Sequence, residues 1–429
     1  MVVIRDTPEQ AHEPRHKHGH KQQRRRRSAA SARRKVTLRD ILNEHYDGFA
    51  QTHPLSPDMK YAAARLRKCR TAALGGHVVS CPQGCLDRIA YNSCHHRSCP
   101  ECALLDRERW LAGWKARLLN CPHQHCVFTV PHELLPVWRY NKRWFAGALF
   151  RAASQSLLEL LRDERHLGAF VGLLAALHTW SQTLAEHVHL HVVVTCGGLD
   201  ASGRWRAVKK SCLLPRKVLM VLFRGKLRGE LLQALAAGNL VLPPETTAPQ
   251  LRGLLNKLGR TDWHVKIMER YEHGHGVVTY LARYLKGGPI GNSRLLSLQD
   301  GQVTFRYRHG SDGEGGRGRQ AELTLPVETF LSRLLEHVPP RGLHTVRGFG
   351  LYAGCHRELL NAARALCGQA AVPRKIRRPT CRELLMRLGH GDPTRCPVCG
   401  AELVSHSPFA RGRSPPPPYD RLTRSGAEA

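Results

Sequence analysis

Apolar and polar residues alternate along the chain with periods that predict a mixture of helices and strands. Apolar positions recur three and four residues apart over 38–46 and 142–165, and a leucine-rich stretch at about 213–260 has the same character, which predicts helices. Period-two alternation at 126–130 and over 170–198 predicts β-strands. The pattern therefore indicates a protein that combines helices with sheet.

Glycine and proline predict where two further elements end. A short helix after position 277 is expected to stop at the Gly-Gly-Pro run 287–289, because this pairing terminates helices. Strand-like segments at 303–307 and 321–325 flank a glycine-rich stretch at 310–318. That arrangement predicts a β-hairpin with a long tip.

The two ends of the chain lack this patterning. Residues 1–35 hold four histidines and the run Arg24–Arg27 but few large apolar residues, so we expect a disordered arm. The arm is either a solubilising tail or an auxiliary contact to phosphate. Four consecutive prolines at 415–418 predict that the chain from Ser405 onward is a solvated tail.

The charge of the chain indicates the class of partner. Lys and Arg total 66 against 34 Asp and Glu, which gives a formal charge of +32, and the most abundant matching polyanion is nucleic acid. A membrane surface is the rival, but the sequence contains neither a run of about 18 apolar residues nor a signal-like start. We therefore expect a cytoplasmic protein that associates with nucleic acid and not with a membrane.

The cysteines cluster in a way that favours metal binding over disulfides. The chain has 15 cysteines, an odd number, and most lie close together in the first third, as metal sites do. Seven candidate zinc ligands fall within 34 residues, namely Cys69, His77, Cys81, Cys85, Cys94, Cys99 and Cys102. Seven ligands exceed one tetrahedral site, so one ion with spare thiols and two ions are both open.

The spacing favours one grouping of these ligands. A first site is expected to use Cys81, Cys85, Cys99 and Cys102, which leaves Cys69, His77 and Cys94 for a second site. Buried free cysteines and a catalytic zinc are the alternatives, but no HExxH-like base accompanies the block. A structural zinc site is therefore the preferred interpretation.

A second knuckle lies near the C-terminus. Two residues separate Cys396 from Cys399, and Gly400 follows. A knuckle turn of this kind aims two thiolates at one ion. Cys381 and His390 are the partners expected from proximity in sequence. Zinc binding and no metal at all are both open for this knuckle.

A strand rich in histidine is the first candidate catalytic element. His187, His189 and His191 alternate with aliphatic residues, so the three imidazoles share one sheet face. Two of them can hold a divalent ion that keeps positions open for a phosphate oxygen. A lone strand histidine is usually a core residue, but three in alternation favour a metal site.

A pair of tyrosines is the second candidate catalytic element. Tyr280 and Tyr284 are four residues apart and share a face of the short predicted helix. A phenolate can attack phosphorus and store the bond as a covalent phosphotyrosine, and Arg283 and Lys286 could hold phosphate beside it. Core packing is the alternative for such a pair, and the upstream histidine strand favours catalysis.

Five segments in this order resemble the bacterial rolling-circle transposases of the insertion-sequence ninety-one family, which belong to the two-tyrosine HUH class. The segments are residues 91–102, 127–134, 187–191, 280–284 and 347–351. The shared order of five motifs makes chance similarity a poor explanation.

The resemblance implies the fold and the roles of the site residues. It implies an α+β fold in which a small zinc-binding domain precedes an HUH nuclease domain with a central antiparallel sheet flanked by helices. It also implies that His189 and His191 bind Mg²⁺ or Mn²⁺, with His187 as a neighbour or third ligand. Tyr280 and Tyr284 would then nick and rejoin single-stranded DNA at the ends of a transposon.

Pattern and resemblance together divide the chain into five expected regions. These are a disordered basic arm at 1–35, a zinc-binding DNA-recognition domain at 36–120, an HUH endonuclease domain at 121–345, a C-terminal helical region with the second knuckle at 346–404 and a disordered tail at 405–429.

The expected activity is a tyrosine-based, metal-dependent cleavage and ligation of single-stranded DNA in rolling-circle transposition. Its partners would be the transposon ends, target DNA and the host replication machinery, and the sequence indicates no oligomeric state. A plasmid or phage replication initiator would share the chemistry but act on a replication origin. A non-catalytic zinc protein that binds DNA would explain the charge and cysteines but leave the histidine strand and the tyrosine pair without a role.

Overall fold

The computed structural model describes residues 35–209, 213–272, 276, 278–279, 282, 288–309 and 318–413. The predicted arm up to residue 34, the centre of the predicted hairpin tip and the proline run lie outside the described residues. None of the described helices is both long enough and apolar enough to cross a lipid bilayer.

The N-terminal region consists of helices and a hairpin around the first cysteines. Its elements are α1 (Leu38–Thr52), α2 (Pro57–Arg67), β1 (Gly76–Ser80), β2 (Asp87–Tyr91) and α3 (Ala103–Lys115). Thr37 caps α1, and Asp40 returns its side chain to the Thr37 backbone N–H, so a capping box fixes the start of this helix.

An antiparallel sheet of six strands forms the centre of the molecule, as predicted. Its strands are β3 (His123–Thr129), β4 (Phe170–Trp180), β5 (Glu186–Leu199), β6 (Trp205–Ala207), β7 (Val265–Tyr271) and β11 (Val346–Gly350). The order is β11-β4-β5-β3-β7, and β6 pairs with β5. The sequence predicts a domain boundary at position 345. Strand β11 lies just beyond that position, so the central sheet continues past the predicted boundary.

Long helices cover one face of this sheet. They are α4 (Leu135–Tyr140), α5 (Lys142–Arg162), α6 (Arg216–Ala236) and α7 (Ala248–Leu258). Phe145 and Leu149 of α5 are fully buried in one core with Leu190 and Val192 of β5. The apolar side of β5 therefore faces the helices, and its histidines face the other way.

A second apolar core joins the N-terminal helices to a later hairpin. The later elements are β8 (Leu295–Gln299), β9 (Gln302–His309), β10 (Arg319–Pro326) and α8 (Val327–Glu336). Ile41 of α1, Phe305 of β9 and Phe330 of α8 are fully buried together. The predicted hairpin at 303–325 is confirmed by the pairing of β9 with β10.

The C-terminal segment returns to the N-terminal hairpin. After α9 (Arg357–Leu366) and α10 (Cys381–Arg387), the two-residue strand β12 (Val404–Ser405) pairs with β1. Phe409 forms a further bridge with Gly76. The tail predicted from Ser405 is thus mostly exposed over 405–413, but it begins along the edge of β1, where the N–H groups of His406 and Phe409 donate to backbone oxygens of that strand.

Candidate functional site

Three imidazoles meet on the face of the central sheet opposite the long helices. His189 and His191 lie two residues apart on β5, and His178 of β4 lies directly opposite His189 in the strand register. The ligating nitrogens of the three side chains all lie within 4.8 Å of one another. The fold therefore assembles a cluster of three nitrogen donors from two neighbouring strands.

Hydrogen bonds fix how two of the rings point. His189 Nδ1 lies 2.8 Å from the backbone oxygen of His187, so this nitrogen donates and the Nε2 of His189 keeps its lone pair. His191 Nδ1 lies 2.9 Å from His125 Nε2 on β3, and the two Nε2 atoms of His189 and His191 face each other at 3.0 Å. Both rings thus turn the same nitrogen toward a shared point, as second-shell partners do at metal sites.

The electrostatic environment keeps these imidazoles neutral. Desolvation by burial lowers the pKa of His189 and of His191 well below its usual value, and the neighbouring histidines lower both further. Burial also lowers the pKa of His125 to about 4. Since a neutral imidazole is the form that binds a metal ion, the cluster is ready to do so at neutral pH.

The third histidine predicted from the sequence is not the one that joins the cluster. His178 takes the third position instead, and the ring of His187 packs beside that of His189 at a centroid distance of 4.7 Å. His187 is therefore a neighbour of the cluster, one of the two roles expected for it.

Local pattern gave only a weak signal for the two histidines that the sequence analysis missed. His178 follows Ala176 and precedes Trp180 on the same face of β4, and His123 and His125 alternate on β3 in the same way. Period-two histidines on the neighbouring strand were thus visible, but only strand register shows that His125 contacts His191.

A helical segment covers the imidazole face of the sheet. Val278 and Ala282 are buried in one apolar cluster with Val193 and Ala176, which stand two residues from His191 and from His178 on the same face. The predicted site residues Tyr280, Arg283, Tyr284 and Lys286 lie outside the described residues.

The first group of cysteines comes from the N-terminal region alone. The thiols of Cys69, Cys94, Cys99 and Cys102 lie within 4.8 Å of one another, and the Sγ atoms of Cys94 and Cys102 are 3.7 Å apart. Zinc with Zn–S bonds of about 2.3 Å requires sulfurs about 3.8 Å apart in a tetrahedron. The four side chains therefore have the chemistry and the spacing of a structural zinc site.

The second group joins cysteines from the two ends of the described chain. Cys81, Cys85, Cys396 and Cys399 also lie within 4.8 Å of one another. The backbone N–H groups of Cys399 and Val398 point at the Cys396 sulfur and lower the pKa of Cys396 to about 7. This group likewise consists of four sulfur donors around one point.

These groups correct the pairing expected from sequence spacing. Cys99 and Cys102 share a group with Cys69 and Cys94 and not with Cys81 and Cys85. The reason is that Cys81 and Cys85 lie in the turn between β1 and β2, whereas Cys69 and Cys94 flank the opposite end of this hairpin.

Three further expected ligands belong to neither group. His77 lies half-buried on β1 outside both groups. Cys381 and His390, the expected partners of the C-terminal knuckle, are exposed and are absent from the second group.

The loop of the first cysteine group also contacts the segment that leads into β11 of the central sheet. Arg97 donates to the backbone oxygen of Leu343 at 3.2 Å and to the Thr345 hydroxyl. The Thr345 backbone oxygen accepts from the N–H of Leu177, next to His178. This loop is therefore connected to the strand that supplies the third imidazole.

Comparisons with known families agree with this arrangement. The family model described as "Transposase zinc-binding domain" matches residues 41–130, and the model described as "Putative transposase" matches residues 172–359. The first range contains six of the eight grouped cysteines, and the second contains the three clustered histidines and both tyrosines.

Two relatives match most of the chain. A protein of Sinorhizobium fredii whose name also describes it as a transposase is 34% identical over 402 residues, which cover 91% of this chain and 99% of the relative. The transposase for insertion sequence element IS801 of Pseudomonas savastanoi pv. phaseolicola is 32% identical over 350 residues, 79% of this chain and 81% of the relative.

Proposed function

This chain belongs to the transposases of the insertion-sequence ninety-one family, and we propose that it nicks and rejoins single-stranded DNA through 5′-phosphotyrosine intermediates. The observation that carries the proposal is the imidazole cluster of His178, His189 and His191, together with the helical residues Val278 and Ala282 on the same face of the sheet. Both helical residues lie within two positions of Tyr280 in the sequence, which supports the proposal that the tyrosine motif acts beside the imidazoles.

The imidazole cluster is the proposed site of the catalytic ion. His178, His189 and His191 would hold Mn²⁺ or Mg²⁺, and three nitrogen donors favour the transition-metal ion of the two. A bound divalent ion supplies a Lewis acid for the scissile phosphate. His125 and the His187 carbonyl hold the Nδ1 atoms, so that the Nε2 atoms face outward to the ion and the DNA.

Tyr280 and Tyr284 are the proposed nucleophiles. The phenolate oxygen of one tyrosine forms a bond to phosphorus, and the bond to the 3′-oxygen of the neighbouring nucleotide breaks. Arg283 and Lys286 are proposed to bind phosphate nearby. The second tyrosine can repeat the reaction at another strand, and reversal of either step rejoins DNA without an external energy source.

Membership of the family favours one DNA substrate among those that share this chemistry. One relative is named as the transposase of an insertion sequence, so we propose that this chain acts on the ends of such an element and on target DNA instead of a replication origin. The freed 3′-hydroxyl would be extended by the host replication machinery.

The first cysteine group is the proposed structural zinc site of the N-terminal domain. Cys69, Cys94 and Cys99 are almost fully buried, and Cys102 packs against the same apolar core. Bound zinc would hold the loop that carries Arg97 against the central sheet.

Formation of a covalent protein–DNA adduct tests the proposal. A labelled single-stranded oligonucleotide from the element's end should yield an adduct with Mn²⁺ or Mg²⁺ and none with a chelator. Mass spectrometry of the attached peptide should identify Tyr280 or Tyr284. The double variant Tyr280→Phe, Tyr284→Phe should lose the adduct by more than about 100-fold, whereas Tyr140→Phe, at an exposed tyrosine of α4, should retain it.

Histidine variants in the same assay test the ligand set. His178→Ala should reduce adduct formation by more than about 100-fold, while His187→Ala should reduce it far less, because His187 contributes its backbone oxygen to the site. A full adduct in the double tyrosine variant would overturn the nuclease proposal. Equal losses for His178→Ala and His187→Ala would overturn the ligand assignment.

A further inference from the structure

Two knuckle turns from distant parts of the chain are each closed by a backbone hydrogen bond from a glycine, which stands three residues after the first cysteine in one turn and four residues after it in the other. The N–H of Gly84 donates to the Cys81 oxygen at 2.9 Å, and the N–H of Gly400 donates to the Cys396 oxygen at 2.9 Å. Both glycines have positive φ, +71° and +75°, a conformation that glycine adopts at little cost. Each turn therefore presents its two thiols on one side, as in zinc knuckles.

The two knuckles face each other across the surface of the molecule. Cys81 Sγ lies 3.4 Å from Cys399 Sγ, although 318 positions separate the two residues. That distance is too long for a disulfide bond of about 2.05 Å and close to the sulfur–sulfur spacing of about 3.8 Å in a zinc tetrathiolate. We propose that Cys81, Cys85, Cys396 and Cys399 bind a second structural zinc ion that fastens the C-terminal segment to the N-terminal hairpin.

Backbone pairing independently supports this closure. Val79 pairs with Ser405 and Ser80 with Val404, directly beside Cys81. The N–H of Phe409 donates to the Gly76 oxygen at 2.8 Å, and the side chain of Arg88 donates to the Pro393 oxygen at 3.1 Å. The strands thus set the register that brings the two knuckles together.

The fastened segment carries a run of exposed cations. Arg374, Lys375, Arg377 and Arg378 are exposed between α9 and α10. These residues and the C-terminal knuckle lie outside both ranges matched by the family models, 41–130 and 172–359. The second zinc ion would therefore hold the basic segment 374–378 in a fixed position, where its exposed cations can contact DNA phosphates.

Zinc content gives the first test. The purified full chain should contain two zinc ions per molecule, and the double variant Cys396→Ser, Cys399→Ser should contain one. Cys381→Ser is the matched control, because Cys381 is an exposed cysteine of the same C-terminal segment and lies outside the group, and it should retain two. One ion in the wild-type protein, or two in the double variant, would overturn the proposal.

A measurement on the wild-type protein keeps the test valid if the variant folds poorly. A thiol reagent should release zinc in two phases, with the faster phase from the second group, because Cys85 and Cys399 are exposed. Mass spectrometry should find Cys81, Cys85, Cys396 and Cys399 modified when the first ion is released. Release that tracks modification of the first group alone would contradict the site. Neither result depends on the nuclease proposal, which the adduct assay tests separately.

Discussion

Each of the two cysteine groups contains four thiols, but the groups lie in very different surroundings. In the first group Cys69, Cys94 and Cys99 are buried to 1% exposure or less and belong to an apolar core with α1 and the β9 hairpin. In the second group two thiols are exposed, and the buried pair, Cys81 and Cys396, belongs to none of the apolar cores of the described chain. The same four-thiol zinc chemistry can therefore stabilise an apolar core at one site and attach a surface segment at another.

Removal of one ligand from each group should separate these roles most strongly. Cys99→Ala should lower the free energy of unfolding by more than about 4 kcal/mol, because the core around it loses its metal. Cys399→Ala should lower the global value by less than about 2 kcal/mol, because it releases only a surface segment. Urea denaturation followed by tryptophan fluorescence measures both values.

A buried cysteine outside both groups provides the control for these variants. Cys126 is fully buried on β3, so Cys126→Ala reports the cost of a small cavity without loss of metal, and its effect should be well below that of Cys99→Ala. Similar losses for Cys99→Ala and Cys399→Ala would erase the distinction between a core site and a surface site.

An arginine beside each cysteine group should show the same contrast, with smaller losses of unfolding free energy. Arg97 is largely buried, and burial lowers its pKa, so Arg97→Ala should cost about 2–3 kcal/mol by leaving the Leu343 and Thr345 oxygens without their donor. It should also slow DNA nicking, since Thr345 supports the strand of His178.

The matched variant in the second region is Arg88→Ala, which removes an exposed hydrogen bond to Pro393. Its effect on unfolding should be about 0.5 kcal/mol, and nicking should be unchanged. Parallel stability and nicking assays on both variants check this pair. If Arg88→Ala slowed nicking as much as Arg97→Ala does, the second cysteine group and its surroundings would contribute to DNA cleavage, which their contacts do not indicate.

The sequence predicted what depends on short spacing. The alternation of His189 and His191 and the interval between Cys99 and Cys102 are local patterns, and the structure places both pairs at clustered sites. Alternating apolar positions predict strands, whereas the central antiparallel sheet was implied by the resemblance to the insertion-sequence ninety-one family.

Long-range pairing was beyond the reach of these patterns. Spacing alone predicts that Cys81 and Cys85 share an ion with the nearest knuckle, whereas β-pairing over hundreds of residues brings them to Cys396 and Cys399. His178 likewise enters the imidazole cluster only through the register of β4 with β5. Spacing identifies a ligand pair, but topology decides which pairs share an ion.

A pH-dependent contribution to the free energy of unfolding should also distinguish the core of the first group. His337 is buried, donates from Nε2 to the Leu184 oxygen at 2.9 Å and lies 3.2 Å from the Thr179 hydroxyl. Burial lowers the pKa of His337 to about 4, and this effect outweighs the opposing contributions of the Leu184 hydrogen bond and Glu336. Leu184 belongs to the same apolar core as Cys69 and Cys99.

The sign of the effect follows from proton binding. The unfolded chain takes up a proton on His337 near pH 6.5, whereas the folded chain resists it until about pH 4. Stability is therefore lost as the pH falls below about 6.5, by about 2 kcal/mol between pH 7 and pH 5. His337→Gln keeps a donor for Leu184 but cannot titrate, so its unfolding free energy should fall less over this range.

The difference in pH dependence of unfolding between wild type and His337→Gln isolates the contribution of His337. Acid weakens zinc–thiolate binding in both of them, so the loss of metal cancels when wild type and His337→Gln are compared at pH 7 and pH 5 by urea denaturation. Protease cleavage of the segment 367–395 gives a second readout for the same two proteins. The change in cleavage rate between pH 7 and pH 5 should not differ between them, because His337 lies in the core of the first group. Identical pH dependence of unfolding in the two proteins would show that burial of His337 does not make this core acid-sensitive.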